Sequence, residues 1–296
     1  MRGNFVRVVA ASVVAVLSFS LVPAPVHADW DGAPLSRSSA LPAPFSFATA
    51  NDALAATYPS YVGSLGIARA LRTTDGDAAH VSILEARPWY VGGRTYLVVA
   101  IARQTDDRAA RTDLCGGCWE RFAIAVLGEY DGRLSLVART HDDGPTEAEP
   151  IPGGVDADLS VKGDGIASLD LAPYHLSSRE TLIGVRNTVS ITGGNFRTRL
   201  ALFRIVGNDL KAVANIAVGG GTDEPTQTLD HATVSVIKRP GRYNDLHVLT
   251  SHYNYVPKDA SGWSDEPTPG TTPVDTDLSA FRFDGTRFHE IGGAQH

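Results

Sequence analysis

From about residue 79 onward the chain is a series of short apolar segments separated by turn residues, a spacing that antiparallel β-strands satisfy and long helices do not. "HVSILEA", "RTYLVVAIA", "RFAIAVLGEY" and "RLSLVART" make a first series. "IASLDLA", "ETLIGVRNTVS", "TRLALFRIV" and "DLKAVANIAV" make a second, and "ATVSVIKR", "NDLHVLTSHYNY", "LSAFRFD" and "RFHEIG" a third. Each series ends on a hairpin: "EYDGRL" from Glu129, "RIVGNDL" from Arg204 and "RFDGTRF" from Arg282. Asp-Gly and Gly-Asn supply the positive φ that tight hairpin turns demand. Taken as equivalent, Asp131, Gly207 and Asp284 stand 76 and 77 residues apart, which predicts three repeated four-strand sets at about 79–141, 161–220 and 231–293.

The inner strands of these sets carry no alternation. Tyr96–Ile101, Phe122–Leu127 and Leu200–Phe203 are almost wholly apolar, as strands covered on both faces are. The closing strands are more polar, at Arg133, Asn208, Asp209 and Arg287. The expected fold is therefore all-β, three four-stranded antiparallel sheets arranged like propeller blades. The Asp131-Gly132 and Asp284-Gly285 hairpins resemble the outer hairpin of blades in exported bacterial proteins of the FG-GAP and VCBS propeller type. Val161–Asp170, "VKGDGIASLD", resembles the inner part of such a blade. The resemblance covers about residues 79–293 and implies a propeller-like fold. The calcium loop of those families is incomplete: Asp156 and Asp158 begin one, but Ser160 and Val161 stand where further oxygen ligands and a glycine are wanted. Three blades are also fewer than the usual four.

Ahead of the strands lie two other regions. Arg2 and Arg7 flank a short positive start, residues 8–22 are apolar, and Val26-His27-Ala28 ends the run with small residues. That is the form of a secretory signal, with cleavage expected after Ala28 and a periplasmic or secreted product. The run is shorter than the ~20 apolar residues of a spanning helix, so no membrane span is expected once it is removed. Residues 29–78 read as a Pro-, Ser- and Ala-rich lead-in. Asn51 is expected to cap a short helix over "DALAATY" that Pro59 ends, with a second helical piece over Ser64–Leu71. The net charge of −7, without a Lys/Arg cluster, sets nucleic-acid binding aside.

Cys115 and Cys118, in "LCGGCWE", are the only cysteines. In an oxidising compartment such a pair is usually a disulfide, here a clip that would fix one loop and the placement of Trp119. A redox role needs a low-pKa thiolate, and a strand pattern follows rather than a helix. A metal role needs further ligands.

No Gly-x-Ser-x-Gly elbow, His-Glu-x-x-His helix or phosphate-cradling loop occurs, and Gly219–Gly221 reads as a flexible turn. His247 and His252 are an odd number of residues apart in one strand, which points them to opposite faces and keeps them from sharing a metal. His141, Asp142 and Asp143 form an acidic loop, the one candidate for calcium. Tyr253 to Asp277 is long, and combines Tyr253, Tyr255 and Trp263 with Asp265 and Glu266, a mixture suited to a sugar, peptide or protein surface. The sequence names no reaction. Its expected role is an exported, non-catalytic binding or inhibitory module, whose connections at about 103–120, 191–198 and 255–277 form a rim for a protein, peptide or glycan. An extracytoplasmic hydrolase and a structural or assembly factor are the alternatives.

Overall fold

A computed structural model describes residues 35–36, 38–58, 79–105, 121–140, 166–191, 195–222, 228–254 and 271–294. All belong to one compact unit, Asp31–His296. Apart from one helix, α1 (Ala50–Thr57), the regular elements among them are strands. The first four are β1 (Ala79–Val91), β2 (Arg94–Thr105), β3 (Arg121–Tyr130) and β4 (Arg133–Arg139). Next come β5 (Ile166–Asp170), β6 (Ile183–Ile191), β7 (Asn195–Val206) and β8 (Asp209–Thr222). The last are β9 (Thr228–Ile237), β10 (Asp245–Asn254), β11 (Asp275–Phe283) and β12 (Phe288–Ala294).

Within each group of four, consecutive strands pair antiparallel as an up-and-down meander. The turn chemistry explains this. Gly92 and Gly93 (φ 60° and 76°) close β1–β2, and Asp131 and Gly132 (φ 50° and 73°) close β3–β4, the positive pair a two-residue hairpin requires. Asp284 builds the β11–β12 turn differently, accepting the N–H groups of Thr286 and Arg287 at 2.7 and 2.9 Å.

The three meanders are not separate sheets. β4 lies parallel to β8 through Arg139 and Asp209. β8, 14 residues long, pairs with β7 along one edge and offers the other edge near its end, where Gly219–Thr222 pairs with Thr228–His231 of β9. The result is one mixed sheet of 12 strands in place of three independent blades. The glycine run read as a flexible turn is thus the last part of a strand, paired on both sides. A Cβ on Gly221 would collide with the Phe196 ring, and one on Gly219 would press on the Asp230 carbonyl at 3.3 Å; bare backbone lets β7 and β9 both close on β8.

Strand direction sorts the connections. β1–β2, β3–β4, β5–β6, β7–β8, β9–β10 and β11–β12 all turn at one end of their strands, while β2–β3, β6–β7 and β10–β11 leave from the other.

The lead-in is better patterned than its composition suggests. Thr49, not Asn51, caps α1: its hydroxyl accepts the Asp52 N–H, and the Asp52 carboxylate accepts the Thr49 N–H at 2.8 Å. This reciprocal box needs an acid three residues after the cap, which Thr49 has and Asn51 lacks. Leu41, Phe45, Ala53, Leu54 and Tyr58 are buried in one cluster with Ile83, Leu97, Val99, Ile101, Ala125 and Leu127. The segment therefore roofs one face of β1–β3. Ser64–Leu71, expected as a second helix, lies outside the described residues.

Candidate functional site

A cleft of about 580 Å³ opens at the turn end of the strands, between Pro88–Gly92 of the first hairpin and the β5–β6 connection. Three features of the chain build it.

The first is an interrupted sheet edge. Among the described strands β1 pairs only with β2, so its outer side is an edge. Leu35 takes the Ile83 carbonyl with its N–H at 2.8 Å. Further along, the Glu85 carboxylate accepts the Leu169 N–H at 2.7 Å, and Arg87 Nη1 donates to the Leu169 carbonyl at 2.9 Å. These two side chains clasp both backbone groups of one β5 residue, Leu169, from the face of β1 away from the roof. Burial holds the Glu85 carboxyl above its ordinary value; the Leu169 N–H and the Arg87 charge pull it back down. Pro88 follows, a residue that suits an unpaired edge. From Trp89 to Gly92 no further described backbone group reaches that edge, and there the cleft begins. Trp89 is 5 % exposed and packs on Tyr96 with ring centroids 6.1 Å apart.

The second is a buried ionic knot beneath the opposite wall. Asp170 accepts from Arg186 Nε at 2.7 Å, from the Tyr174 hydroxyl at 2.8 Å and from the Ala172 N–H at 3.2 Å. Its side chain is 4 % exposed and that of Arg186 16 %, so the pair is shielded from water. Burial and the Asp170 charge push the Tyr174 phenol far above its usual range, so it remains a donor. Gly184 makes room, since a Cβ there would stand 2.6 Å from the Asp170 carbonyl oxygen and 3.1 Å from the Tyr174 ring. Removing one partner of such a knot strands the other without water.

The third is a connection with little freedom. Leu182 N–H bonds the Tyr174 carbonyl, and the Ser177 hydroxyl accepts the N–H groups of Arg179 and Glu180. Glu180 is held by Arg204 Nη2 at 2.6 Å, and Asn244 bonds the carbonyls of Leu176 and His175. Ends, middle and outer side are all tied. The wall then presents His175, Ser178, Arg179 and Thr181 to the cleft. His175 Nδ1 contacts the Thr181 hydroxyl at 2.9 Å; among the described residues, neither its Nε2 nor the Arg179 guanidinium has a hydrogen-bond partner. Among the described residues, no carboxylate lines the cleft.

Another polar cluster sits at the opposite end of the third meander. His252 Nδ1 contacts Asp230 at 2.7 Å and its Nε2 contacts Asp277 at 3.0 Å. Only an imidazolium can donate to both carboxylates. The hydrogen bond to Asp230 raises the His252 pKa most; burial opposes it, and Asp277 adds to the rise. The Val274 N–H bonds the His252 carbonyl at 2.7 Å, so this clamp closes the base of the β10–β11 connection. Both ring nitrogens are thus engaged within the clamp.

His247 and His252 lie in an unbulged β10 on opposite faces, as their odd spacing requires. Tyr253 is half-buried opposite Leu229, next to the clamp and away from the cleft. Tyr255, Trp263, Asp265, Glu266, Trp119, Cys115, Cys118, His141, Asp142 and Asp143 lie outside the described residues. Among those described, no group of three or more His, Cys, Asp or Glu is placed to hold a metal ion, and no helix is long and apolar enough to cross a membrane. The cleft itself escaped the sequence reading, although an aspartate closing the apolar strand "IASLD" is a signal that could have led to it. No family model matches the chain, and neither does any curated protein or solved structure.

Proposed function

We propose that this chain is an exported, non-catalytic binding or inhibitory module that holds a protein, peptide or glycan partner in the periplasm or outside the cell. The observation that carries this reading is the cleft: an apolar floor, a polar wall with donors to spare, and a scaffold that fixes both before any ligand arrives. The hydrolase alternative wants a pair of carboxylates facing one cleft, whereas the acids beside this one, Asp170, Glu85 and Glu180, are all engaged by scaffold groups. The signal-like start and a Cys115–Cys118 clip belong to the same reading. So does the view that the three meanders are copies of one blade-like unit, resembling FG-GAP and VCBS blades and fused here through β8. The even spacing of their closing turns supports it.

The test is native mass spectrometry of the mature protein recovered from its own envelope, beside Ser178→Trp, which fills the cleft from an exposed position. A co-purifying mass lost in the variant is expected. A bare chain, or a partner indifferent to the variant, contradicts the cleft as the binding site.

A further inference from the structure

Resting on the binding reading above, we infer that the cleft takes a short extended peptide through its free carboxylate, the peptide lying along the open edge of β1 and its carboxylate meeting Arg179. Three independent observations converge on this class.

Backbone comes first. Beyond Pro88 the edge of β1 carries main-chain groups that no described residue pairs, in a protein that covers the same edge at Ile83 with the Leu35 N–H. Such an edge is completed by an added strand. The open stretch runs from Trp89 to the Gly92-Gly93 turn, and four residues at 3.3 Å each give about 13 Å, enough for a tri- or tetrapeptide and no more.

Charge comes second. The protein carries a net −7, yet the lining holds one arginine, one histidine and no acid. Arg179 is exposed and without a described ion-pair partner, while neighbouring Glu180 is already taken by Arg204. A planar carboxylate matches the guanidinium fork.

Shape comes third. Alternation along β1 places Trp89 and Val91 on one face, and with Leu171 and Pro173 they make an apolar floor for a side chain of the incoming strand.

The experiment uses the immobilised full chain and two randomised tetrapeptide pools, one ending in a free carboxylate and the other in an amide. The expected result is retention of the carboxylate pool about 10- to 100-fold above the amide pool, as a charge-assisted contact implies. In Arg179→Ala that preference should vanish, while Arg179→Lys keeps part of it and both variants keep the native melting temperature. Ser178→Trp should release both pools. Equal retention of the two pools, abolished by Ser178→Trp, overturns the carboxylate inference and leaves the cleft as a binding site. Retention of neither pool, or retention that no variant changes, overturns the peptide assignment; a co-purifying mass displaced by Ser178→Trp would then still uphold the cleft.

Discussion

β2 and β10 hold the same place in their meanders, each a second strand between two antiparallel partners, yet they meet water differently. Along β2 every residue from Leu97 to Ile101 is at most 2 % exposed, because the lead-in roofs the Leu97–Val99–Ile101 face and the other face is also closed. β10 buries Leu246 and Val248 in a cluster with Phe283 and Phe288, then leaves Leu249 46 % exposed and becomes half-wet toward its end. One strand is a core layer and the other an outer wall. Their sequences differ accordingly: an unbroken apolar run in the first, alternation and charge in the second.

That contrast organises the two polar clusters as well. The Asp170 knot lies in the shielded part of the molecule and the His252 clamp in the wet part. Breaking the knot should have the largest effect. Asp170→Ala leaves Arg186 shielded and unpaired, and we expect a loss of about 3–5 kcal/mol in urea unfolding. A loss under about 1 kcal/mol would mean water reaches the joint and the contrast is false. Next come paired truncations. Leu97→Ala, and Leu54→Ala in the lead-in, should each cost about 2–5 kcal/mol. Leu249→Ala should cost under about 0.5 kcal/mol, as wet positions do.

The smallest expected effect is the pH response of the clamp. The folded-state pKa of His252 is raised, so the stability it adds is complete below the unfolded-state value and is lost as pH rises through the folded one. With the ring partly open to solvent, we expect under about 1 kcal/mol, lost as pH rises above the ordinary imidazole value and absent in His252→Gln. A native-like pH profile in that variant would assign the response elsewhere. Asp284 runs the opposite way: its carboxyl is held far below the usual range by the Arg287 and Thr286 N–H groups and by His289, so its contribution fades as acidity increases.

Much of the scaffold was legible in the chain. Strand order, the tight turns at Asp131 and Gly207, and double-sided burial of Leu97–Ile101 and Ala123–Leu127 all follow from local pattern, because turns and periodicity are written in neighbouring residues. Continuity of the sheet was not, since it depends on the second edge of β8, which takes β9 near its end and a single parallel bridge to Arg139 at its start. The roof was hidden for a related reason: Leu41, Phe45 and Tyr58 act as scattered plugs with no period to detect. Neither cluster was visible either. Asp230 lies in the first turns of β9, ahead of where the apolar pattern starts, so only the register with β10 brings it to His252. The cleft joins residues about 90 positions apart across a loop without a motif.

Hydrogen exchange by mass spectrometry on the intact chain under native conditions tests the layered account most directly. Amides of β2 and β3 should exchange only through global unfolding, while those of β10 and β11 open at a distinctly lower free energy. Equal protection in the two pairs, or faster exchange in β2 and β3, would contradict it.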